Sequence, residues 1–134
     1  MEEEIAPDGC LELLQRTSVG RIAGVTAGRP FVFLVNYAMD GDRIVFRTAP
    51  GTKLAGSSFD RVAFEIDGIN PDDESGWSVV VQGLASDVSE MLDSRSAGMR
   101  DLELHPWAPG EKAHWVAIEP ETITGRRIRR ETRG

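Results

Sequence analysis

The chain has 134 residues and a mass of 14.7 kDa, the size of one domain, because a single core usually organises about 100 to 200 residues. Apolar residues make up 40% and charged residues 28%, and no apolar run approaches the ~18 residues of a membrane span, so residues 1–134 read as one soluble globular domain. The net charge of -7 disfavours nucleic acid, whose phosphates an acidic body repels.

The charge is uneven. Arg126, Arg127, Arg129, Arg130 and Arg133 stand against Glu131 in a basic tail over about 126–134, which would have to supply any electrostatic grip on DNA or RNA alone. Its plainer reading is a last strand followed by a solvated end. Glu2, Glu3 and Glu4 occupy the place where a secretory signal needs positive charge. Cys10 is the only cysteine, which excludes an internal disulfide, and with His105 and His114 it cannot complete a four-ligand zinc set. A cytoplasmic setting with neither membrane nor nucleic-acid partners is expected.

In chain order, Cys10, Leu11, Leu13 and Leu14 gather on one side of a short helix over 10–16, with Asp8 placed to cap it. Cys10 reads as a small buried residue of that helix. Val19–Thr26 is a strand, and Ala27-Gly28-Arg29-Pro30 turns it into the run Phe31-Val32-Phe33-Leu34-Val35, whose five consecutive apolar residues predict burial on both faces. The Asp40-Gly41 pair closes a hairpin with a returning strand over Arg43–Thr48. Ala49-Pro50-Gly51-Thr52 breaks that strand, and Lys53-Leu54-Ala55 begins a short helix.

Arg61–Asp67 alternates as a half-buried strand, and Asp67–Ser75 reads as a solvated loop. A long strand follows from Gly76 to Ser89, with Gly83 marking a bend or bulge. Ser89 to about Leu104 is helical in pattern, 105–110 is a loop, and Ala113–Ile118 is the sixth strand, with Ile123–Ile128 as its continuation beyond Pro120. Six strands with hairpin turns predict a mainly β fold, a small antiparallel barrel with short helices, since a flat sheet would leave edges and one apolar face exposed. The strands at 31–35 and 77–81 are apolar on both faces, so the face turned from the barrel core predicts contact with a second copy in a two-fold dimer.

Few constellations carry chemistry. Gly-x-Gly-x-x-Gly and Gly-x-Ser-x-Gly are absent, and Pro50-Gly51-Thr52-Lys53-Leu54 lacks the spacing of a nucleotide P-loop. Asp72, Asp73 and Glu74 read as a solvated turn rather than metal ligands. The stretch Arg47–Lys53 differs: a strand ends in a cation and a hydroxyl, turns through Pro and Gly, and enters a predicted helix carrying a lysine. Those are the parts of a phosphate site, although they equally suit a plain turn with solvated cations. His105 and His114 are read as loop and strand residues rather than proton donors or haem ligands. Trp107 and Trp115 are read as core or interface residues.

The ordered succession Val19-Gly20-Arg21-Ile22-Ala23, Val35-Asn36-Tyr37-Ala38, Asp40-Gly41-Asp42-Arg43-Ile44-Val45-Phe46-Arg47-Thr48, Gly51-Thr52-Lys53-Leu54, Phe64-Glu65-Ile66-Asp67-Gly68, Gly76-Trp77-Ser78-Val79-Val80-Val81-Gln82-Gly83 and Thr124-Gly125-Arg126-Arg127 resembles the pyridoxamine 5'-phosphate oxidase-like, FMN-binding split-barrel family, and within it the small actinobacterial branch. The resemblance implies a six-stranded Greek-key split barrel, a homodimer with flavin in grooves between the subunits, and a small-molecule substrate. It implies that Leu34, Val35 and Asn36 lie along the isoalloxazine and that Arg47, Thr48 and Lys53 hold the phosphate. Trp77 and Ser78 would present a polar group to the flavin, and Arg126 would approach from the neighbouring subunit. The Arg-x-His pair with which true oxidases hold their substrate is missing, since no histidine follows Pro120. The implied activity is thus an FMN-dependent oxidoreductase with its own substrate. The deazaflavin coenzyme F-420 as cofactor, a non-catalytic flavin carrier or redox sensor, and a haem protein are the alternatives within the same fold.

Overall fold

The computed structural model describes residues 1–131; Arg133 of the basic tail lies outside them. Seven strands and two short helices run in the order β1 (Glu2–Glu4), α1 (Pro7–Arg16), β2 (Val19–Thr26), β3 (Arg29–Asp40), β4 (Arg43–Thr48), β5 (Asp60–Asn70), β6 (Ser75–Asp87), α2 (Ser94–Arg100) and β7 (His114–Ile128). All pairings are antiparallel. The sheet order is β1-β7-β4-β3-β2-β5-β6, and β6 also pairs with β7, so β2 to β7 close into the expected six-stranded barrel while β1 lies outside the ring on the end of β7. The order β5-β2-β3-β4 is that of a Greek key.

Period-two alternation fills the interior. Ile22, Phe46, Phe64, Ile66, Val79, Val81, Val116 and Ile118 are fully buried, each worth roughly 1.5 to 3 kcal/mol relative to exposure. α1 packs against β3, β6 and β7, bringing Cys10 and Leu14 into this core. The Tyr37 hydroxyl donates to the Leu14 carbonyl at 2.7 Å, and its ring meets Phe64 edge-on at 4.9 Å. A second cluster of Val45, Val88, Met99 and Ala117 covers part of the outside of β4 and β7.

Several local expectations are corrected. α1 begins at Pro7 with Ala6 at its N-cap and no side-chain cap; Asp8 sits in the first turn, where it favours the helix dipole instead. No helix starts at Lys53. Residues 50–56 form consecutive turns, because Pro50, Gly51 and Gly56 interrupt any helical run, and Gly51 and Gly56 adopt φ of 82° and 77°. Asp67–Asn70 and Ser75 belong to a long β5–β6 hairpin, leaving only 71–74 as its turn. The helical pattern over 89–104 reduces to seven residues, capped by the Asp93 carboxylate accepting from the Ser96 amide. β6 ends at Asp87. Pro120 does not interrupt β7: the register shifts at Gln82/Gly83, and Glu121 is the extra residue of the resulting bulge. A Cβ at Gly83 would collide with the Glu119 carbonyl, which explains the glycine.

The run 31–35 is not buried on both faces within the chain. Phe31, Phe33 and Val35 pack toward the core, whereas Val32 and Leu34 are 66% and 59% exposed. They share an outward face with Ala23 and Arg21 of β2, with Ala63 and Glu65 of β5, and with Val80 of β6.

Candidate functional site

The barrel is split beside β3. Tyr37–Asp40 pairs with β4, but Phe31–Asn36 pairs only with β2, so the other edge of that half of β3 carries unpaired backbone groups. The strand β4 diverges there and hands the chain to the turns at 50–56. Between the two lies a cleft of about 710 Å³, within the range of small-molecule sites. Phe33, Leu34, Val35 and Asn36 form one wall; Arg47, Thr48, Thr52 and Lys53 form the other, and Pro106, Trp107, Ala108 and Lys112 overhang it.

Six of the nine site residues expected from the sequence therefore converge on one cleft: Leu34, Val35, Asn36, Arg47, Thr48 and Lys53. The buried Thr48 hydroxyl lies 2.6 Å from that of Thr52, which also donates to the Ala49 carbonyl at 2.9 Å. Lys53 holds its ammonium 5.3 Å from the Phe31 ring centre. Arg47 is more committed than its sequence position suggests. Its Nε donates to the Lys112 carbonyl at 3.0 Å, its Nη1 donates to the Leu104 carbonyl at 3.1 Å, and its guanidinium lies over Trp115 at 4.9 Å. The Asn36 side-chain oxygen accepts the Trp107 amide at 2.8 Å.

Trp77, Ser78 and Arg126 lie elsewhere in the same chain. Ser78 and Arg126 are cross-strand partners on β6 and β7 and line a separate, smaller depression with Glu2 and Glu4. The Glu2 carboxylate accepts from Arg126 at 3.2 Å. Trp77 turns to the other side of β6, against Gly68, where a Cβ would meet its indole. Two further arginines of the basic tail are paired with acid: Arg129 reaches Glu3 at 3.9 Å and Arg130 reaches Glu74 at 3.3 Å.

His114 is engaged at the back of the 50–56 turns. Its Nδ1 lies 2.5 Å from Asp87 Oδ2, which also accepts the Gly56 amide at 2.7 Å. Asp87 Oδ1 accepts the Ser89 amide and hydroxyl. Burial pushes the Asp87 carboxyl up, but bonds from the Ser89 hydroxyl, the Gly56 and Ser89 amides and His114 outweigh it and bring it down to about 2. His105 is exposed, 3.8 Å from Glu103.

Lys112, Thr52, Trp107 and Pro106 were not assigned to the site from sequence. Thr52 sits inside the motif that drew attention to Arg47–Lys53. Lys112 and Trp107 approach from a loop more than fifty residues away, and no local spacing reveals that contact.

A closed six-stranded Greek-key ring opened along one strand edge defines a split barrel. The family model described as pyridoxamine 5'-phosphate oxidase matches residues 6–127, and the chain belongs to that family. It is 36% identical over 136 residues to the uncharacterized protein Rv0080 of Mycobacterium tuberculosis, covering 97% of this chain and 88% of that one. Among solved structures it is similar to the FAD binding protein from Mycobacterium smegmatis, with a TM-score of 0.77, 34% identity and coverage of 95% and 100% of the two chains. A FAD-binding protein from Mesorhizobium loti shares the fold, with a TM-score of 0.71 at 21% identity and coverage of 96% and 99%. No helix among the described residues is long and apolar enough to cross a membrane.

Proposed function

We propose that the cleft beside β3 binds a flavin nucleotide, FMN in the first reading, and that the protein is a small flavin-dependent oxidoreductase. The observation that carries this is charge placement. In a chain of net charge -7, the cleft presents Arg47, Lys53 and Lys112 and no carboxylate, beside an apolar wall of Phe33, Leu34 and Val35. An apolar planar ring with an anion at one end is the ligand shape that this combination suits.

The residues present fit such a group. The unpaired edge of β3 at Leu34–Asn36 has backbone donors and acceptors for the polar rim of the ring. The Lys53 ammonium offers donors for a phosphate; the Thr48 and Thr52 hydroxyls would donate to it by giving up their present bonds to Thr52 and to the Ala49 carbonyl. A bound flavin would supply the hydride or electron transfer. The protein's part is to orient the ring along β3, hold the phosphate, and exclude water with the overhang at 106–108.

The exposed outer face of β3, β2, β5 and β6 supports a homodimer. Val25, Val32 and Leu34 lie there, and soluble monomers seldom leave such a patch bare. Ser78 and Arg126 point to this same side of the sheet, so a second copy seated on it could bring them toward the cleft of the first, which one chain alone does not do. The likeness to the FAD binding protein from Mycobacterium smegmatis favours a second reading for the ligand, FAD, whose pyrophosphate would take the same cations. Titrating the purified protein with FMN, FAD and coenzyme F-420, and then adding a reduced nicotinamide donor, separates these readings. Stoichiometric uptake followed by catalytic turnover supports a flavin oxidoreductase; uptake without turnover points to a carrier or sensor. Uptake of F-420 alone, or of none, rejects the flavin reading.

A further inference from the structure

The loop between α2 and β7 is fastened to the cleft by three hydrogen bonds. Arg47 holds it at two points, through the carbonyls of Leu104 and Lys112, and Asn36 holds its middle through the Trp107 amide. Stacking on Trp115 fixes the guanidinium itself. These bonds take two of the guanidinium's five N–H donors and, with the indole, fix its direction, so its first task is to hold the loop. Lys112, whose own carbonyl receives the Arg47 Nε, lines the same cleft as Lys53 and is half-buried. Its ammonium donates one bond to the Pro109 carbonyl at 2.7 Å, which leaves two protons for an anion.

We infer that Lys112 is the second cation of the anion site, opposite Lys53, and that Arg47 is a positioning residue that acts by holding the strap that carries Lys112. This rests on the reading of the cleft as a phosphate site, and it assigns the phosphate recognition to the two lysines. An arginine tied to two carbonyls and an indole keeps the strap in one place, so Lys112 meets the ligand without having to order its backbone first. Lysine at Arg47 would retain the charge but could not span both carbonyls.

The test compares parent, Lys112→Met, Lys53→Met and Arg47→Lys, with three probes: FMN, riboflavin, which has the ring without the phosphate, and inorganic pyrophosphate. Lys112→Met should raise the Kd for FMN roughly 10-fold or more, as expected for losing a bond to a charged group, and leave that for riboflavin unchanged. Protection by pyrophosphate against thermal unfolding should shrink in the same variant. Arg47→Lys should repeat this pattern, and combining it with Lys112→Met should add little, because one residue acts through the other. Parent-like binding of FMN and pyrophosphate by Lys112→Met would overturn the inference, as would an equal loss of riboflavin. Pyrophosphate binding that depends on Lys112 in a parent that takes no flavin would keep the inference and reject the flavin reading. A parent that binds neither FMN nor pyrophosphate rejects both.

Discussion

The Asp87 carboxylate accepts the Gly56 amide at 2.7 Å, and this bond ties the end of the turns that carry Thr52 and Lys53 to the end of β6. The Asp87 amide returns a bond to the Ser57 carbonyl at 2.9 Å, and His114 at the start of β7 closes the group from the other side. Four donors converge on a carboxylate whose side chain is only 10% exposed, so the turns are held from behind while the cleft opens in front.

Asp87→Ala should therefore destabilise the domain and loosen the cofactor site together. Leaving the Gly56 and Ser89 donors without a partner costs about 1 to 3 kcal/mol where they stay shielded from water. The denaturant midpoint should fall, and FMN should bind more weakly. Unchanged stability would mean that water replaces the carboxylate without loss.

The same group sets part of the acid response. The Asp87 carboxyl is held at about 2, below its ordinary 3.8, so its contribution to stability is fully present above the ordinary value and is lost as pH falls toward and through about 2. Unfolding followed from pH 6 down to pH 2 should show parent and Asp87→Asn diverging most above about pH 4 and converging below it. A difference that grows as the pH falls would have the wrong sign.

Lys53→Ala should weaken FMN binding roughly 10- to 150-fold, the range for a bond to a charged group, without unfolding the domain. Lys53 is exposed, with its ammonium 5.3 Å from the centre of the Phe31 ring. Isothermal titration and a thermal melt of the same sample check both halves of this statement.

The dimer can be tested with Val32→Glu. Val32 is 66% exposed on the outer face and does not line the cleft, so the substitution is tolerated by a single chain but puts repelling charges into a two-fold contact. Light scattering should report monomer, and bound flavin should be lost. A monomer that still holds flavin stoichiometrically contradicts the shared site.

Part of the barrel was legible because alternation in β5 reports directly which face meets the core. Val62, Phe64 and Ile66 lie where that pattern predicts. The phosphate turn was legible as composition but not as conformation: Pro50, Gly51 and Gly56 produce turns where a helix was expected, so no helix dipole serves the site. Lys112 and Trp107 were not legible, since the bonds that place them, from Arg47 and Asn36, span 65 and 71 residues. Nor does any periodicity tell that Val32 and Leu34 stay uncovered within the chain.

Within its family this chain is expected to be a poor pyridoxamine 5'-phosphate oxidase. A phosphorylated pyridine needs an anion site of its own and groups that fix the amine over the ring, and no histidine lines the cleft. Positioning can supply up to ~7 to 11 kcal/mol of a barrier, so losing it should leave activity orders of magnitude lower. Flavin-loaded protein incubated with pyridoxamine 5'-phosphate under air should form almost no pyridoxal 5'-phosphate; turnover near ~1 per second, ordinary for an enzyme, would contradict this.

The most direct measurement of the central claim is the absorbance spectrum of the purified protein, before and after addition of FMN, with the mass of whatever heat releases from it. The account predicts a flavin spectrum, native or acquired on titration to one flavin per chain, and a released mass of FMN or FAD. A Soret band, a deazaflavin mass, or no uptake of either flavin would contradict it.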